Sequence, residues 1–88
     1  MPTPRTEVAA AASGTRIHVV GGFRADGTTV ATVEIFDTAT GRWERGPDLP
    51  VAVNHPMAAT VGDVVYVFGG HLADNTQSAS VFRLDGSE

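Results

Sequence analysis

The sequence predicts an all-β fold made of two copies of one four-stranded antiparallel unit, the second copy lacking its outer strand. Three observations carry that expectation. The pair Gly21-Gly22 returns as Gly69-Gly70, a shift of 48 residues that aligns residues 1–40 with 49–88 without a gap. Thirteen of those 40 positions are identical, against roughly one in ten expected by chance in a chain rich in Ala, Gly, Val and Thr. Within each copy, short β-branched or aromatic runs alternate with Gly, Asp and Asn, the composition of strands and tight turns.

The elements follow in order. Residues 7–12 (EVAAAA) have helix propensity on their own. Their counterpart, residues 56–61 (PMAATV), is too short for a stable helix and opens on Pro, so both copies read as a strand entering the Gly14-Thr15 or Gly62-Asp63 turn. The second strand is Arg16–Val20 (RIHVV), matched by Val64–Phe68 (VVYVF). A third covers residues 30–37 (VATVEIFD) and 78–85 (SASVFRLD). The fourth occurs once, as Arg42–Arg45 (RWER) after the Thr40-Gly41 turn. Four strands in about 50 residues make the blade of a β-propeller.

The details resemble the kelch repeat. Gly21-Gly22 closes the second strand, Phe36-Asp37 ends the third, and Trp43 follows six residues after the Asp; Gly69-Gly70 and Leu84-Asp85 repeat the first two features. The opening residues 1–5 (MPTPR) are similar to the segment that leads into a kelch blade, and Leu49-Pro50 begins that segment again. There are departures: Leu84 replaces the aromatic, Val53 stands where the first copy has Arg5, and the second Trp would fall three residues beyond Glu88. The resemblance implies blade one at about 5–46, a linker at 47–55, and an incomplete blade two at about 56–88, together spanning residues 1–88.

The strands are apolar on both faces, as Ile17 and Val19 against Val20 show, and such strands are covered on both sides. Two blades leave two faces open. A closed propeller has roughly four to eight blades and needs about 190 residues at this period. A piece of a longer ring is the first expectation; three copies forming a six-bladed ring, and a free-standing two-blade sandwich, are the others.

Composition narrows the function. The chain has 88 residues, 42% of them hydrophobic, net charge −4 and no Cys, so neither disulfides nor Cys-ligated zinc stabilise it. Its six basic residues, all Arg, are dispersed from Arg5 to Arg83 among ten acids, against a nucleic-acid face. Arg-only usage with abundant Ala, Gly and Asp is bacterial-like. No membrane span or signal peptide is expected, which leaves the cytoplasm as the default location.

Antiparallel connectivity sends the loop after the second strand and the blade-to-blade linker to one end of the blades, and long loops on a rigid scaffold are where binding resides. The candidate binding residues are Phe23, Arg24, Asp26, Asn54, His55, His71, Asp74 and Asn75. Asp26 and Asp74 hold equivalent places beside Gly27 and Asn75, which points to turn chemistry. His18, aligned with Tyr66, is expected in the core with a satisfied ring nitrogen, Tyr66 is expected buried, and Trp43 between blades. His55 and His71 are placed to meet with Asp74, but no ligand spacing supports a metal, and no cofactor is expected. No catalytic motif occurs. The resemblance implies a binding module for protein, or for carbohydrate, with the remaining blades or copies of the chain as further partners. The alternative is a scaffold portion of an enzymatic propeller: the galactose-oxidase-like branch needs a Cys-Tyr pair absent here, whereas a mutarotase-like one would carry its acid and base in other blades.

Overall fold

A computed structural model describes residues 1–84 as antiparallel strands, with no helix among them. The strands are β1 (Arg5–Thr6), β2 (Ala9–Ser13), β3 (Arg16–Val20), β4 (Phe23–Arg24), β5 (Val33–Asp37), β6 (Arg42–Arg45), β7 (Met57–Val61), β8 (Val64–Phe68) and β9 (Val81–Leu84). Blade one is the sheet β2-β3-β5-β6 and blade two is β7-β8-β9. Asp85, expected to close the third strand of blade two, lies outside the described residues.

Several boundaries differ from the sequence reading, among them the start of the third strand of copy two, at Val81 rather than Ser78. The first strand begins at Ala9 rather than Glu7, because Glu7 takes a left-handed φ of 54° that turns the chain out of β1. The third begins at Val33 rather than Val30, because residues 30–32 bond the Gly pair and linker instead: Val30 N–H donates to Gly22 O (3.0 Å), and Thr32 O accepts from Gly21 N–H (2.9 Å). Phe23, expected in a loop, pairs in β4 with Thr6 of β1 as a two-stranded sheet.

Alternation along the strands divides each blade into two faces. The pairs Ala9/Val20, Ala11/His18, Val20/Val33 and His18/Ile35 share one face of blade one. The pairs Ala12/Ile17, Val19/Glu34, Ile17/Phe36 and Phe36/Trp43 share the other. In blade two, Ala58, Val65, Val67, Phe82 and Leu84 occupy one face. The core is the meeting of the first set with this last one: Ala9, Val20, Val33, Ile35, Val65 and Val67 are buried together with Leu49 and Val53 of the linker. Each Val, Ile or Leu side chain among them contributes roughly 1.5–3 kcal/mol on leaving water. Trp43 lies on the opposite face of blade one, tilted on Phe36 with ring centroids 5.1 Å apart. It therefore does not lie between the two described blades. Tyr66 is half-buried rather than buried, because it sits on the face of blade two turned away from blade one.

The Gly pair lets main chain meet main chain. Gly21, at φ 66°, lies so close to the linker that a Cβ there would stand 2.6 Å from Val53 O. Gly22 N–H donates to that same Val53 oxygen (2.7 Å), pinning the linker against blade one. Hydroxyls add to the junction: Thr60 donates to Ala12 O and Ser13 to Asp63 O, each at 2.6 Å.

Beneath the lead-in segment lies a buried ion pair that sequence reasoning missed. The Arg5 guanidinium donates to Glu34 Oε1 (2.8 Å) and to the carbonyls of Gly21 (2.8 Å), Thr32 (3.0 Å) and Val19 (3.2 Å). Both side chains are withdrawn from water, at 0% and 4% exposure. Forty-eight residues later the same two positions are Val53 and Phe82. Blade two thus replaces a salt bridge with two apolar side chains.

Candidate functional site

The loops after β3 and β8 are built alike. Arg24 N–H bonds Thr28 O and Gly27 N–H bonds Arg24 O, each at 2.9 Å; Leu72 N–H bonds Thr76 O (2.8 Å) and Asn75 N–H bonds Leu72 O (2.9 Å). Asn75 adopts φ 74°, which Asn tolerates where the first copy uses Gly27 at 84°. Asp26 Oδ1 accepts from Thr28 N–H and Asp74 Oδ1 from Thr76 N–H, both at 3.0 Å. Hydrogen bonds from Thr28 and Thr76 hold these two exposed carboxyls below the usual carboxylate range. Asp26, Asp74 and Asn75 therefore shape loop tips, in line with the expected turn chemistry.

The linker brings the two loops together. Buried Asn54 exchanges main-chain hydrogen bonds with His71 (2.9 and 2.8 Å). Its amide Nδ2 donates to Thr29 Oγ1 (3.0 Å), which leaves Oδ1 to accept from His55 Nδ1 (2.6 Å). His55 Nε2 faces Glu7 Oε2 at 3.2 Å, and His55 N–H donates to Glu7 O at 3.0 Å. Glu7 and His55 are counterparts at the 48-residue offset and share the left-handed conformation, with φ 54° and 53°. The His55 ring sits edge-on to Phe23 (centroids 5.7 Å, planes at 83°) and tilted against His71 (5.6 Å, 49°). Phe23 and His71 are themselves counterparts, so one imidazole joins equivalent rings of the two blades.

Of the eight candidate residues, Phe23, Asn54, His55 and His71 come together. Asp74 does not join the histidines; Glu7 takes that place, because Asp74 is occupied by Thr76. Arg24 is exposed beside a shallow hollow lined by Thr3, Pro4 and Ala25. Glu7 and Thr29 were missed, although the offset from His55 points to Glu7. Among the described residues, no three His, Cys, Asp or Glu side chains are grouped as metal ligands.

A second concavity, about 280 Å³, lies where the outer strands of the two blades diverge, lined by His18, Val33, Ile35, Pro47, Phe82 and Leu84 among others. His18 is 9% exposed, but its Nδ1 has no partner, contrary to the expected satisfied ring. Burial first, and Arg16 second, push its pKa below the usual 6.5. The folded state therefore binds fewer protons at this site than the unfolded chain. Stability is intact above about pH 6.5 and declines as pH falls below it. Changing His18→Phe is expected to widen the variant's melting-temperature advantage as pH falls from about 7.5 to about 5, read by circular dichroism.

The comparisons agree with this architecture. The Kelch motif family model matches residues 4–50. The chain belongs to the kelch repeat family. It is similar to human Kelch-like protein 34, 40% identical over 74 residues that cover 82% of the chain and 11% of that protein. Kelch-like protein terF of Aspergillus terreus is 39% identical over 71 residues, covering 76% of the chain and 16% of that protein. Human Kelch-like protein 25 is 30% identical over 82 residues, 93% of the chain and 13% of that protein. The chain thus spans between about a tenth and a sixth of the length of these relatives. The matched kelch segment contains β1 to β6, including Glu7 and Phe23.

Proposed function

We propose that this kelch segment is a binding module that engages a protein partner through the loop end of its blades, with Phe23, His55 and His71 as the contact row and Arg24, Asp26, Asp74 and Asn75 at its margins. The carrying observation is that one linker residue, His55, joins equivalent rings of both blades on a rigidly bonded backbone. Aromatic and imidazole edges held by a scaffold supply contact area at little conformational cost. Membership of the kelch family, whose repeats generally serve protein interaction, supports the same reading. Peptides selected from a displayed random library against the chain are expected to lose at least tenfold affinity for the double variant Phe23→Ala/His71→Ala. They should bind Asp63→Lys, altered in a turn at the opposite end, as well as the parent. Binders that respond to Asp63→Lys and ignore the ring row would refute the assignment.

A further inference from the structure

The linker is held to blade one by a short main-chain track. Leu49 N–H donates to Ala31 O (2.8 Å), Val53 N–H to Val30 O (3.2 Å), and Gly22 N–H to Val53 O (2.7 Å). The counterparts of those track groups in blade two are Ala79 O, Ser78 O and Gly70 N–H, and none of the three has a main-chain partner among the described residues. Beside them stands an apolar sheet face. Met57, Val61 and Val81 are 58%, 66% and 65% exposed, next to half-buried Val64, Tyr66 and Phe68. Contiguous apolar surface of this kind marks an interaction site.

We propose that this face of blade two receives a second copy of the chain, head to tail. The segment equivalent to Leu49-Pro50 through Val53 is Met1-Pro2 through Arg5, so residues 1–5 of the second copy supply the segment that fits the open track. Its Arg5 N–H and C=O would meet Ser78 O and Gly70 N–H as those of Val53 meet Val30 O and Gly22 N–H. The faces match as well. Blade one turns Ala10, Ala12, Ile17, Phe36 and Trp43 away from blade two, and the first four correspond to Ala58, Thr60, Val65 and Leu84 on the blade-two face that packs in the core. Ile35 lines the inter-blade wedge together with Phe82 and Leu84. Its counterpart is Arg83, and the counterparts of Phe82 and Leu84 on the incoming copy are Glu34 and Phe36. This brings the Phe36 ring to Arg83, beside a Glu34 carboxylate that Arg5 of the same copy already engages. The contact repeats the internal blade interface, and because it joins unlike faces it propagates until a ring closes. It is independent of what the loop end binds.

Light scattering on the full chain during size exclusion tests it over a hundredfold concentration range. The mass is expected to rise from one copy to at least two. Val81→Glu blocks the blade-two face and Ala12→Glu the blade-one face; both residues are exposed, so each variant should keep its β-sheet circular dichroism and associate at least tenfold more weakly. Met57→Glu and Ala10→Glu form a second pair should either fail to fold. Mixing the two singly blocked variants is expected to give a 1:1 dimer through the one intact pair of faces. Three results would overturn the proposal: a monomer at every concentration, which leaves the face to another occupant; loss of association with Val81→Glu alone, which means like faces pair; or no dimer on mixing.

Discussion

Replacing Arg5 by alanine is expected to destabilise the chain by about 3–5 kcal/mol, read as a shift of the urea midpoint. The substitution strands the Glu34 carboxylate at 4% exposure and removes donors from the carbonyls of Gly21, Thr32 and Val19. An unpaired buried charge costs far more than the pair is worth. Blade two states the remedy, since its counterparts of Arg5 and Glu34 are Val53 and Phe82. The double variant Arg5→Val/Glu34→Phe should therefore recover more than half of the loss seen with Arg5→Val alone. Glu34→Phe alone should also be severely destabilised, because the Arg5 cation then lacks its counter-ion. Simple addition of the two single effects would mean that the residues do not act as a unit.

Gly21→Ala is expected to cost several kcal/mol, whereas Gly69→Ala, at the equivalent place in blade two, should cost only about 1 kcal/mol. Both glycines have positive φ, 66° and 72°, so backbone strain is common to the two. The difference is the neighbour. A Cβ on Gly21 would lie 2.6 Å from Val53 O, main chain that cannot yield without breaking the Gly22–Val53 hydrogen bond. A Cβ on Gly69 would meet only Met57 Cε, at 3.8 Å. Equal losses in paired thermal melts would show that the linker does not rest on the Gly pair.

The repeat offset made the fold legible, and β3, β6 and β8 match the sequence reading residue for residue. Strands buried on both faces announce themselves by continuous Val, Ile and aromatic runs. Harder to read was the chain entering each blade. Two-residue strands such as β1 and β4 are too short to show alternation, and the left-handed turn at Glu7 is not one that Glu advertises. The loop end was legible from connectivity, but the partners within it were not. His55 reaches Glu7 rather than Asp74 because the linker folds back on the start of blade one, a long-range closure with no local pattern. One signal was present and unused. Val53 is a visible departure from Arg5, and Phe82 departs from Glu34 in the same repeat, a paired change that marks two side chains in contact.

The central claim is that the two 48-residue repeats pack face to face as successive blades, one linker binding their loops into a single surface. Methyl NOE spectroscopy on the chain tests it most directly. The account predicts cross-peaks from Val20, Val33 and Ile35 to Val65, Val67 and Leu84. Cross-peaks confined within each repeat, with none between these two sets, would contradict it.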